Sequence, residues 1–123
     1  MKKIFLVTVF CTLISTTVYA DNLPGDKDSG ESLFNHQCSA CHSLDSNRVG
    51  PKLGDVYGRK SGTVPDFNYS SAVKSANITW NSETLDKWLS GPQQFIPGQR
   101  MNFSISDPQK RADIIAYLKS LGK

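Results

Sequence analysis

Cys38-Ser39-Ala40-Cys41-His42 decides how this chain is read. Two thiols at C-x-x-C spacing followed at once by a histidine form the attachment site of a c-type haem. Each thiol can add across one vinyl group, and the neighbouring imidazole reaches the iron from one fixed side. Downstream, Ile96-Pro97-Gly98-Gln99-Arg100-Met101 is a loop suited to presenting a thioether. Iron held between His and Met points to electron transfer.

Upstream of the motif, Lys2 and Lys3 precede an apolar run from Ile4 to about Ile14, then Ser15, Thr16, Thr17 and Val18-Tyr19-Ala20. Small residues at the −3 and −1 positions make this a secretory signal peptide, residues 1–20, cleaved after Ala20. The run is too short for a membrane anchor, which needs roughly 20 apolar residues. Cys11 leaves with the signal, and the mature protein is expected in the periplasm. Removing 20 of 123 residues leaves 103, enough for one domain with a thin core to which a large apolar cofactor would add packing surface. All 11 acidic residues but only 12 of the 14 basic ones follow Ala20, so the mature chain carries about +1 rather than +3. Haem propionates would offset even that, which argues against nucleic acid or an anionic membrane surface as partner.

Cys38 and Cys41 are the cysteines left after cleavage. A thiol oxidoreductase and half a zinc site compete for them, but the first wants a preceding strand in a βαβ setting. The second lacks a convincing fourth ligand, because only His36 is on offer and it reads as a solvated helix residue. Residues 21–28, with Pro24, Gly25 and three Asp, read as a flexible leader to a domain spanning 29–123. Helices are expected from about Ser29 to Ala40, near Ser70 to Ser75, and from Ser82 to Leu89, with Asn81 or Ser82 as cap and Gly91-Pro92 as stop. A last helix starts after Asp107 at Pro108 and turns Ile114, Ile115, Leu118 and Leu121 inward. Between Ser43 and Pro65, Gly and Pro interrupt any period, so that segment reads as loop wrapped over something. No convincing strand appears. The expected fold is all-α, about four helices and long loops around one covalently bound haem.

With the haem motif, Gly50-Pro51, Tyr57-Gly58-Arg59-Lys60-Ser61-Gly62, Tyr69, Ile78-Thr79-Trp80, the Met101 loop and Ala116-Tyr117-Leu118 in this order, the chain resembles class I cytochromes c from about Gly30 to Ser120. It is most similar to the mitochondrial type and its short bacterial relatives. The resemblance implies that the two end helices pack on each other and that one haem edge reaches the surface. It implies that Cys38 and Cys41 hold haem c, that His42 is the proximal iron ligand and Met101 the distal one. It further implies a backbone carbonyl at Pro51, after Gly50, to hold the second nitrogen of the imidazole. Arg59, Tyr69 and Trp80 match positions that bind a propionate, and Phe103 matches an aromatic closing the crevice. Trp88 stands where the mitochondrial type has a Tyr near the axial sulfur, and Val73 replaces a pocket Asn. Gln37, Gln93 and Gln94 occupy places where lysines would ring the haem edge. Arg48, Lys52 and Arg100 are among the few cations left there.

Together these readings describe a monomeric periplasmic carrier, not an enzyme, that shuttles single electrons between redox proteins. A membrane cytochrome complex, an oxidase or a periplasmic dehydrogenase would fit. The alternative is a peroxidase-like or gas-binding haem protein with a labile sixth ligand, but near Met101 only Arg100 and Gln99 could act as distal acid–base groups.

Overall fold

The computed structural model describes residues 23–122; the signal peptide expected over 1–20 lies outside them. Among the described residues five α-helices follow one another: α1 (Lys27–Leu33), α2 (Ser71–Ser75), α3 (Ser82–Ser90), α4 (Pro92–Phe95) and α5 (Pro108–Ser120). Among the described residues the one β-type pairing is an isolated antiparallel bridge between Lys60 and Thr79. The architecture is therefore the all-α one expected, with α4 as an addition. Gly91-Pro92 does stop α3, but Pro92, with its φ already set for a helix and no N–H to orphan, also starts α4.

The first helix begins earlier than the composition implies. Asp26 caps it, accepting from Ser29 N at 2.7 Å, so Lys27 and Asp28 belong to its first turn and not to a loose leader. The segment before it is tied to α5: Asp26 N donates to Asp113 Oδ1 at 2.9 Å, and Gln109 Nε2 donates to the Pro24 carbonyl at 3.0 Å. These anchors involve short polar groups that look like linker material until their partners 85 and 87 residues away are known. After Leu33 the helix widens into a π-helical segment, Phe34–Cys38, where Ser39 N reaches back to the Phe34 carbonyl. Such widened turns recur at functional sites.

The end helices pack on each other, as the resemblance implies. At their crossing Gly30 lets the backbones approach so closely that a Cβ there would lie 2.0 Å from the Asp113 carbonyl oxygen. Phe34 and Tyr117 fill the next level with ring centroids 5.6 Å apart. Helix α5 also packs on α3, and Ile114, Ile115 and Leu118 bury themselves between the two contacts, while Leu121 is only half-buried. The other caps follow their residues. Asn81 and Thr84 close a reciprocal box on α3, Ser70 accepts from Val73 N on α2, and Asp107 accepts from Gln109 N ahead of Pro108.

Candidate functional site

The widened end of α1 delivers the motif. Cys41 N and His42 N both fold back onto the Cys38 carbonyl, at 3.2 and 2.9 Å, so the two cysteines and the histidine share one tight turn. Cys38 is half-buried and Cys41 is exposed, and no disulfide joins them. Burial pushes the Cys38 thiol up to about 11, the reverse of the depressed value that makes a redox-active cysteine nucleophilic. Among the described residues no group of three or more His, Cys, Asp or Glu gathers as a metal site would.

The chain then doubles back beside the motif. Gly50 N donates to the Cys41 carbonyl, Leu53 N to Ser43, and Gly54 N to Leu44, at 2.9 to 3.0 Å, so the loop expected over 43–65 is braced at its start by backbone pairing. This brings Gly50 flat against the imidazole: a Cβ at 50 would fall 2.1 Å from His42 Cε1. His42 Nδ1 donates to the Pro51 carbonyl at 2.8 Å. That bond fixes the tautomer, leaving the Nε2 lone pair as the ring's donor atom. Burial holds the imidazole's pKa below its ordinary value and the charge of Arg59 adds to this, against the opposing pull of the Pro51 bond. A neutral, oriented imidazole is the form that binds a metal.

Arg59 lies close enough to act on His42, and its side chain is largely buried. Nη1 donates to the Lys52 carbonyl at 3.0 Å and to Asp55 Oδ1 at 2.8 Å. Its Nε is buried with no partner, a donor that an acidic group brought to the site would satisfy. Arg59 and Trp80 are joined through backbone: Trp80 N donates to the Arg59 carbonyl at 2.9 Å beside the Lys60–Thr79 bridge. The buried Trp80 ring meets the half-buried Trp88 edge-on, with centroids 5.4 Å apart. The Tyr69 hydroxyl accepts from Val64 N at 3.1 Å and keeps its own proton to give.

Met101 sits on the opposite arm of the sequence, half-buried at the end of a loop that leaves buried Ile96. Gly98, at φ +90°, makes the turn that few other residues could, and Met101 N donates to its neighbour Gln99 Oε1. Arg100 Nη1 donates to the Asn68 carbonyl at 3.1 Å, tying this loop to the segment that carries Tyr69. Beside Met101 an open cleft of about 530 Å³ is walled by Gln93, Gln94, Gln99 and Phe103. Phe103 is 41% exposed and Val49 76%, the two large apolar side chains left at the surface among the described residues.

The chemistry of this donor set fits the haem that the motif calls for: paired thiols, an imidazole with a fixed free nitrogen, a thioether, and a buried guanidinium N–H without a partner. One pair was not foreseen. Arg111 Nε donates to Asp86 Oδ1 at 2.6 Å, both side chains about nine-tenths buried. The signal was present, because Asp86 precedes Leu89 by three positions and Arg111 precedes Ile114, Ile115 and Leu118 by three, four and seven. Opposite charges at positions belonging to two apolar stripes ask for each other.

The family model described as Cytochrome c matches residues 28–122. A cytochrome c of Sesamum indicum is 43% identical over 100 residues, covering 78% of this chain and 90% of that one. A cytochrome c2 of Rhodomicrobium vannielii is 42% identical over 123 residues, 96% of this chain and 95% of its own. The solved structure of cytochrome cH from Methylobacterium extorquens superposes with a TM-score of 0.75 at 44% identity, over 78% of this chain and 99% of that one.

Proposed function

The chain belongs to the cytochrome c family, as a class I member with one covalently bound haem c that serves as an electron carrier, and we propose that it works as a diffusible carrier in the periplasm through His42 and Met101. The observation that carries the ligand assignment is the His42 ring, held between Gly50 and the Pro51 carbonyl at the end of the helix that presents Cys38. When bound, the haem supplies a ferric–ferrous couple.

What the chain does follows from its own groups. Cys38 and Cys41 tether the macrocycle through thioethers, so repeated encounters do not strip it from the protein. His42 offers Nε2, and the Pro51 bond keeps the ring from turning away. Met101 offers a sulfur, a donor that favours the reduced state and raises the potential. Arg59 offers its buried Nε to a propionate, and Trp80, tied to Arg59 through the backbone, and the Tyr69 hydroxyl are the further donors assigned to that carboxylate.

Partners are redox proteins, and we place their contact at the surface near Met101, where Gln93, Gln94 and Phe103 lie exposed. Export through residues 1–20, with cleavage after Ala20, puts the carrier in the same compartment as a membrane cytochrome complex, an oxidase or a periplasmic dehydrogenase. Among the described residues no helix is long and apolar enough to cross a membrane. The test is a spectroelectrochemical titration of the exported protein. A reversible one-electron wave between two low-spin states supports the carrier reading, and a spin change or ligand exchange on reduction overturns it.

A further inference from the structure

Four residues beyond Met101 the chain dives back into the core at Ile105, which is 4% exposed, while Asn102, Phe103 and Ser104 between them are exposed. Ile105 is gripped from both sides. Its N–H donates to the Leu89 carbonyl in the last turn of α3 at 2.8 Å. Its carbonyl, and that of Ser106, each accept from Arg111 Nη1 of α5 at 2.9 Å. The same guanidinium is oriented by its Nε bond to Asp86 of α3 at 2.6 Å.

We propose that Asp86 and Arg111 are a positioning pair that anchors the far end of the Met101 loop, and so set how firmly the sixth ligand is held. The inference rests on Met101 being that ligand. The planar guanidinium spends one edge on a buried carboxylate and another nitrogen on two consecutive carbonyls, so the loop's exit is fixed relative to both α3 and α5 at once. Helix α3 also carries Trp88, so the pair fixes the distance between that indole and the loop's anchor. Without Asp86 the guanidinium would be buried without its counter-charge and drawn toward water, and the two carbonyls would lose their donor with it.

The experiment titrates ferric holoprotein with imidazole, which competes for the sixth position, and follows loss of the weak far-red band of the sulfur–iron bond. Asp86→Asn is expected to yield at about tenfold lower imidazole or less, a loosening of about 1.4 kcal/mol. A second variant separates anchoring from stability. Exchanging both partners, Asp86→Leu with Arg111→Met, removes the buried charges and should keep the urea midpoint near wild type, yet still leave Met101 about tenfold easier to displace. Asp113→Asn, on the α1-facing side of α5, serves as control and should titrate like wild type. If Asp86→Asn does not accumulate with haem, the double variant decides alone. Haem-loaded variants within about twofold of wild type, or a control loosened equally, overturn the proposal while the ligand reading survives. A wild type without the far-red band overturns both.

Discussion

Gly50 has no room for even one more carbon. An added methyl group would fall inside the His42 imidazole, 2.1 Å from Cε1, so ring and loop cannot both keep their places. Gly50→Ala is therefore expected to cost about 3 kcal/mol or more in urea denaturation of the holoprotein, against a few tenths for an unobstructed surface site. His42 itself predicts how acid acts. Its folded pKa lies below the ordinary 6.5, chiefly through burial, so above about 7 folded and unfolded chains are alike at this position and stability is flat. As pH falls below 6.5 the unfolded chain takes up a proton that the folded one refuses, and stability is lost. On the proposed ligation, iron at Nε2 would act in the same direction. Urea midpoints measured from pH 8 to 5 should be level and then fall; midpoints that rise on acidification would refute this ordering of the two pKa values.

The helices show which parts of the fold a sequence carries on its face. Caps are local: Asn81 before a polar first turn, or Asp107 before Pro108, need only their own next residues, so α3 and α5 begin where the residues say. The C-x-x-C-H turn is local too, since Cys41 N and His42 N both point back to the Cys38 carbonyl. What escapes reading is long-range. Asp26 looks like linker until Asp113 accepts its N–H, and Gly30 looks like a poor helix residue until α5 crosses it. The orphaned Nε of Arg59 likewise has meaning only once the loop has folded around it. The distinction predicts unequal costs. Asn81→Ala, which removes a cap, should lower stability by about 1 kcal/mol. Gly30→Ala, which would put a Cβ 2.0 Å from the Asp113 carbonyl, should lower it by about 3 kcal/mol or more by forcing the end helices apart. Equal effects in thermal denaturation would mean that the crossing yields more easily than its geometry implies.

Over the whole molecule, residues 21–123 carry 12 basic and 11 acidic side chains, close to balance. Around the cleft at Met101 the surface side chains are largely amides, Gln93, Gln94, Gln99 and Asn102, with Phe103 exposed among them and Arg100 alone bringing charge. Such a face gives little long-range steering, so partner selection falls to short-range packing and brief, small contacts. Electron-transfer rates with an oxidase or dehydrogenase of the same compartment should change by less than about threefold between low and physiological salt, where strongly steered pairs lose 10-fold or more. A steep decline with salt would place the docking face elsewhere. The most direct measurement is the visible and far-red absorption spectrum of the haem-loaded protein, oxidised and then reduced. Ligation by His42 and Met101 predicts sharp low-spin bands in the ferrous state and the weak far-red sulfur–iron band in the ferric one. A high-spin ferric spectrum lacking that band would contradict the account and leave the sixth position open to other chemistry.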